Sequence, residues 1–325
     1  MYETKYHTKE IEGLTFLVTG AAGFIGSHIV EYLLKFNVGK IRVMDNLLTG
    51  LQSNIDLFKD NPRYEFFNGD LRTVDDCKKA CDGVDIVLHQ AALGSVPRSI
   101  KDPITSNAVN VDGFLNIIWA AKEANVKRFV YASSSSVYGD HPALPKLEEN
   151  IGKQLSPYAV TKYSNELYAH VFSSVYKMEI IGLRYFNIFG PRQDPNGMYA
   201  AVIPLFISSL KNNSAPTIHG DGMQTRDFTF VENAVQANIR AATTDNAEAF
   251  GKVYNIAFGK NYSLIQLYET IQKLVGKNIS PNHVETRAGD IRNSLADISK
   301  AKNLFGYNPL FTMEDGMKIT VESYR

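Results

Sequence analysis

The feature that most constrains this chain is a short apolar run, Leu14–Thr19, that ends in Gly20-Ala21-Ala22-Gly23-Phe24-Ile25-Gly26 and passes directly into the amphipathic stretch Ser27–Phe36. A strand that turns through three glycines into a helix has few physical uses. Glycine permits the tight turn, and it lets backbone N–H groups approach a pyrophosphate at the positive end of the helix dipole. Nineteen residues past Gly26, closing the next apolar run Lys40–Asp45, stands Asp45, placed to accept both hydroxyls of an adenosine ribose. Its neighbour is Asn46 rather than Arg, and a carboxylate repels a 2′-phosphate, so the pattern favours NAD over NADP.

The alternation continues. Tyr64–Asn68, Val84–Gln90 and Arg128–Ser133 read as further strands, with Asp102–Ala124 and Pro157–Tyr176 as long helices. Nearly continuous apolar strands separated by helices make a parallel sheet buried on both faces, and right-handed crossovers wind it doubly into an α/β Rossmann domain. Beyond Arg184 the texture changes to a Pro/Gly-punctuated stretch with a helix over Tyr199–Lys211. Phe228–Val231 and Lys252–Ile256 then read as strands around a helix, Glu232–Ala242. The expected division is a dinucleotide domain over 1–190 with a returning segment near 228–258. A smaller interleaved α/β domain takes 191–227 and 259–325.

Lys+Arg and Asp+Glu each total 34, a balance that lacks the footprint of a nucleic-acid or acidic-membrane binder. Cys77 and Cys81 lie four apart on an expected helix, read as packing rather than as a metal site, and two cysteines build no disulfide framework. The polar start Met1–Gly13 is unlike a signal peptide, and no run approaches the ~20 apolar residues of a membrane span. A soluble cytoplasmic protein is expected.

Chemistry concentrates at the strand ends. Asp70 and Leu71 follow the third strand; Asp70 is read either as a partner of the adenine amino group or as the N-cap of a helix over Thr73–Ala80. Gln90-Ala91-Ala92 follows the fourth strand with side chains small enough for close approach. The fifth ends in Ser133-Ser134-Ser135-Ser136, hydroxyls facing the ligand crevice of an open parallel sheet. Tyr158 and Lys162 stand one helical turn apart on one face. A phenol of pKa ~10 is a poor base, but a fixed ammonium and an oxidised nicotinamide both favour its phenolate.

These motifs together resemble the extended short-chain dehydrogenase/reductase family. Arg184-Tyr185-Phe186-Asn187-Ile188-Phe189-Gly190-Pro191 and Thr225-Arg226-Asp227-Phe228 are similar to its nucleotide-sugar branch. His89-Gln90-Ala91-Ala92-Leu93-Gly94-Ser95-Val96-Pro97-Arg98-Ser99 and Gly139-Asp140-His141-Pro142 resemble the UDP-hexose 4-epimerases, in particular the bacterial group that prefers UDP-N-acetylglucosamine. The resemblance implies that Tyr158 takes the proton of the sugar 4-hydroxyl while C4 gives a hydride to the nicotinamide. Ser134 would bond the reacting oxygen, with Ser135 and Ser136 shaping the pocket or relaying a proton. The 4-keto sugar would then turn its other face and take the hydride back.

By the same resemblance Phe24, Ile25, Tyr185 and Asn110 join the residues above around NAD, although for Asn110 packing inside a helix is an equal reading. Asn187, Val202, Arg226, Arg287 and Asp290 match substrate positions, the arginines suiting a diphosphate. Gly94, Ser95, Gln193 and Ala201 match the sugar box, and Ser294 stands where glucose-restricted relatives carry a bulky tyrosine. Apolar residues on more than one face of the helices Asp102–Ala124 and Pro157–Tyr176 suggest a homodimer through four helices. The rival activities are epimerisation of a UDP-N-acetyl uronic acid, decarboxylation of a UDP-uronic acid, dehydration of a nucleotide sugar, and NAD sensing without turnover. The all-serine strand end opposes dehydration, and the intact Tyr158/Lys162 pair opposes sensing without turnover.

Overall fold

The computed structural model describes residues 1–195, 201–286 and 292–324. Seven parallel strands form the central sheet: β1 (Thr15–Thr19), β2 (Lys40–Asp45), β3 (Tyr64–Asn68), β4 (Ile86–His89), β5 (Arg128–Ser134), β6 (Glu179–Tyr185) and β7 (Lys252–Ile256). Their order is β7-β6-β5-β4-β1-β2-β3, so the winding reverses between β1 and β4 and opens a crevice at their C-terminal ends. Alternation along β1 divides the core. Phe16 and Val18 face a layer that contains Ile29, Leu33, Val235 and Ile239. Leu17 faces one built from Phe114, Ile118, Phe129 and Phe172, in which Cys77 and Cys81 are also buried.

The helices that position the site are α1 (Phe24–Lys35), α2 (Pro157–Tyr176), α3 (Val202–Lys211), α4 (Val231–Thr243) and α5 (Leu264–Val275). Helix α2 starts where local chemistry dictates: Pro157 occupies its first turn, and the Ser156 hydroxyl accepts the Ala159 N–H at 3.1 Å. That cap fixes Tyr158 in the first turn and Lys162 in the second. A third core, with Phe206, Ile207, Leu210, Phe230, Leu267 and Met317, joins α3, α5 and the C-terminal helix Met313–Ser323 beside the sheet.

Three expected elements differ. The single helix over 102–124 is Pro103–Asn107, a wide π-turn at Ala108–Asp112, then Gly113–Glu123. Apolar residues lie on more than one face of 102–124, so the change of phase that one extra residue brings is masked and periodicity does not register it. Helix α1 begins at Phe24, three residues early, because Gly23 of the turn is itself its N-cap. The expected strand Phe228–Val231 is only Thr229–Phe230 before α4 takes over. Of the helix expected over Tyr199–Lys211, the described part is α3; Tyr199 and Ala200 lie outside the described residues. Among the described residues no helix is long and apolar enough to cross a membrane.

Candidate active site

A cleft of about 600 Å³ opens at the sheet's switch point, lined by Gly20, Gly23, Asp45, Asn46, Asp70, Leu71, Gln90, Ala91 and Ala92 among others. The glycines are there for close approach. A Cβ on Gly20, which has φ +72°, would stand 2.6 Å from the Ala91 nitrogen, and one on Gly26 would stand 2.3 Å from the Gly20 oxygen. Phe24 and Ile25 open α1 half-buried, their N–H groups in the first turn, where a helix has no internal acceptors. Asp45 is braced by the N–H groups of Ala22 (3.0 Å) and Leu47 (2.8 Å), and burial raises its pKa. Asp70 is not a helix cap, since the following helix Val74–Cys81 has Thr73 at that position. Instead the Arg72 guanidinium grips its carboxylate and holds its pKa well below the usual carboxylate range, while Asn46 donates to it at 2.9 Å. This cradle fits a dinucleotide: bare glycine backbone, a carboxylate at the ribose end, small residues opposite.

The serine run divides its labour. Ser133 Oγ donates to Glu166 Oε1 at 2.5 Å, and Glu166 is also forked by Arg184 at 2.9 and 2.8 Å. Ser134 Oγ accepts the Ser136 N–H at 3.2 Å, capping the short turn Ser135–Tyr138, and its hydroxyl stands near enough to the Tyr158 phenol to lower that phenol's pKa. Ser136 Oγ is buried without a partner, a hydroxyl left over for a ligand. Lys162 Nζ donates to the Ala132 carbonyl at 2.8 Å and lies 6.0 Å from the centre of the Tyr158 ring. Burial pushes the lysine down to about 8, opposed by Glu166. The phenol departs from the expectation of acidity, because burial raises its pKa and the nearby Ser134 hydroxyl only partly offsets this. The protein alone therefore keeps Tyr158 protonated.

Asn110 sits on the π-turn and does more than pack. Its carboxamide pairs with both backbone groups of Leu93 (2.7 and 3.1 Å) and with Thr161 of α2 (3.2 Å), tying the segment after β4 to α2. Tyr185, Gln90 and Asn238 close a triangle of hydrogen bonds at 2.9, 2.7 and 2.9 Å. Glu166 and Asn238 were not singled out from the sequence. Glu166 has a readable signal, lying four residues past Lys162 on the face of Tyr158; Asn238 has none.

A second cleft, lined by Asn187, Val202, Phe206, Thr217, His219, Arg226 and others, lies over α3. Asn187, at φ +38°, donates to the Asp227 carbonyl at 3.1 Å, and Arg226 donates to the Thr225 carbonyl at 2.9 Å. The Ser294 N–H bonds that same Thr225 carbonyl at 3.1 Å, so Ser294 lies next to Arg226. Asp227 itself is buried, braced by the N–H groups of Phe258, Gly259 and Ala296, and pushed up to about 7 by burial. Gly94 is exposed; Ser95 has a strained φ of +104° and caps the helix Val96–Lys101, whose Ser99 hydroxyl accepts the Tyr158 N–H at 3.0 Å. Gln193 Oε1 is buried without a partner, and Ala201 is the exposed N-cap of α3. Arg287 and Asp290 lie outside the described residues. Phe206, Thr217 and His219 were missed because, from the sequence, nothing distinguishes them from core or surface positions.

A model described as the NAD dependent epimerase/dehydratase family matches residues 16–257. A putative UDP-glucose 4-epimerase of Methanocaldococcus jannaschii is 38% identical over 307 residues, 94% of this chain and 96% of that one. The solved UDP-N-acetylglucosamine 4-epimerase of Methanobrevibacter ruminantium, in complex with UDP-N-acetylmuramic acid, superposes with a TM-score of 0.90 at 39% identity, covering 96% of this chain and 98% of its own. A UDP-glucuronic acid 4-epimerase of Bacillus cereus, solved with UDP-glucuronic acid and NAD, gives 0.89 at 32%, over 95% and 98%. The match across sequence, fold and cleft means that this chain belongs to the NAD-dependent epimerase/dehydratase family, with NAD as its cofactor.

Proposed function

We propose that the protein inverts C4 of UDP-sugars, interconverting UDP-N-acetylglucosamine and UDP-N-acetylgalactosamine and accepting the plain hexose pair as well. The observation that carries this reading is the strand end itself. Ser134 stands beside the Tyr158 phenol, Ser136 keeps an unpartnered hydroxyl, and residues 132–138 contain no carboxylic acid that would expel a sugar hydroxyl. The three relatives described above are named for UDP-glucose, UDP-N-acetylglucosamine and UDP-glucuronic acid, and inversion at C4 is what those names share.

NAD, held by Gly20, Gly23, Asp45 and Gln90–Ala92, supplies the acceptor and donor of a hydride. Tyr158 receives the proton of the sugar 4-hydroxyl and later returns it; Ser134 holds the oxygen during both transfers. Lys162, anchored on Ala132, sets a positive charge one helical turn away, which favours the phenolate form that burial alone disfavours. Residues 1–190 with 228–258 bind NAD in this reading, and 191–227 with 259–325 bind the nucleotide sugar. Arg226, with Arg287, meets the diphosphate and Asp290 the uridine ribose.

Ser294 supports the N-acetylated substrate, because a small side chain beside Arg226 leaves room that a tyrosine would fill. In Ser294→Tyr, kcat/KM for UDP-N-acetylglucosamine should fall roughly 10–200-fold, with UDP-glucose unaffected. Equal losses on both sugars would contradict the size argument. The exposed face Val160, Leu167, Val171 and Val175 of α2, with Ile100 and Ile104 nearby, is proposed to be covered by a second copy of the chain.

A further inference from the structure

Residues 1–13 lie ahead of the family match, yet they are not a loose tail. Tyr2, Tyr6 and Ile11 are almost completely buried, and Tyr2 takes a left-handed φ of +64° to achieve this. The strap lies across α1 and α4. The Tyr6 ring stacks on Tyr32 of α1 at 5.3 Å, and its hydroxyl donates to Glu232 Oε1 of α4 at 2.8 Å. Glu232 Oε1 also accepts the Tyr2 N–H at 2.9 Å.

The Tyr2 hydroxyl points elsewhere, to Nδ1 of His28 at 2.6 Å. On its other side His28 meets the Pro191 carbonyl through Nε2 at 2.9 Å. A carbonyl only accepts, so Nε2 donates to it and Nδ1 is the ring's one acceptor, shared between the Tyr2 hydroxyl and the Arg192 guanidinium. Arg192, paired with Glu31, reaches the same ring. Pro191 and Arg192 lead directly to Gln193, whose carbonyl is held from the far side by the Tyr324 hydroxyl and whose Oε1 is buried and unpartnered.

We infer that Tyr2 is a positioning residue for the sugar site, setting the loop 190–193 through His28 so that the Gln193 carboxamide faces the substrate. This rests on the reading of that loop as substrate-facing. Tyr6 and Glu232 are by contrast anchors that hold the strap without touching the loop. The strap thus gives an otherwise side-on loop a fixed register, and binding does not have to order it.

The test separates these roles. Tyr2→Phe keeps the ring and removes only the bond to His28. The Michaelis constant and the calorimetric Kd for UDP-N-acetylglucosamine should rise roughly three- to tenfold, with kcat, co-purified NAD and the Kd for UDP, which lacks the sugar, unchanged. Tyr6→Phe should lower the unfolding midpoint but leave both constants at wild-type values. Wild-type KM and Kd in Tyr2→Phe, or changes in Tyr6→Phe of the same size, would overturn the inference. A wild-type protein that binds UDP but turns over no UDP-sugar would sink the epimerase reading and leave the relay to be judged on the UDP-N-acetylglucosamine affinities. Failure of the wild type to bind UDP would overturn both.

Discussion

Replacing Lys162 by methionine should stabilise the protein below pH 8 while removing its chemistry. The side chain is buried to 2% exposure and its ammonium is pushed down to about 8, against an ordinary value of ~10.4. At ~1.4 kcal/mol per pKa unit, holding the charged form in the fold costs about 3 kcal/mol. The sign follows from linkage. Below pH 8 lysine is protonated in folded and unfolded chains alike, and the folded state carries the whole cost. Between pH 8 and 10.5 the unfolded chain alone keeps the proton, and the cost fades as pH rises. Methionine matches the stem and carries no charge, but it leaves the Ala132 carbonyl without its donor, a loss of ~1 kcal/mol. The net gain is about 2 kcal/mol near pH 6, turning into a slight loss near pH 10. Urea unfolding of both proteins, freed of nucleotide, at these two pH values reads the difference directly. A variant less stable at pH 6, or a gap that does not change with pH, would refute the reasoning.

Other consequences are equally direct. Gly26→Ala places a methyl 2.3 Å from the Gly20 oxygen, so the protein should purify without bound NAD, judged by absorbance after denaturation; retained stoichiometric NAD would count against the cradle. Glu166→Gln leaves Arg184 buried without its counter-charge and should cost ~3–5 kcal/mol of unfolding free energy; a loss under ~1 kcal/mol would mean that the pair is not structural. Leu167→Glu puts a charge in the middle of the exposed apolar face of α2 and should yield monomers in sedimentation; an unchanged dimer would place the interface elsewhere.

Much of this architecture is readable in advance where local chemistry is redundant. Strands β2 and β3 and helix α2 begin and end where the sequence places them, because burial on both sheet faces leaves long apolar runs and Ser156-Pro157 is a strong start signal. The π-turn at 108–112 is hidden because apolar residues on more than one face continue across it. Long-range pairings are hidden too: a polar-looking N-terminus buries Tyr2 and Tyr6 only because Glu232 waits some 230 residues away. At the candidate site the serine run was visible as a cluster, but its division of labour was not. That Ser133 braces Glu166 while Ser134 reaches Tyr158 depends on which way each strand-end residue points. Similarly, Asp70 reads as an adenine partner or a helix cap, and nothing in the sequence tells that Arg72, two residues on, folds back over it.

The most direct test of the whole account is to incubate the purified protein with UDP-N-acetylglucosamine, adding no NAD, and to follow the C4 epimers by NMR alongside Tyr158→Phe. The account predicts conversion to UDP-N-acetylgalactosamine by the native protein and a loss of orders of magnitude in the variant with its fold and bound NAD intact. A Tyr158→Phe protein that epimerises at the native rate, or a native NAD-loaded protein that leaves C4 of every UDP-sugar untouched, would contradict it.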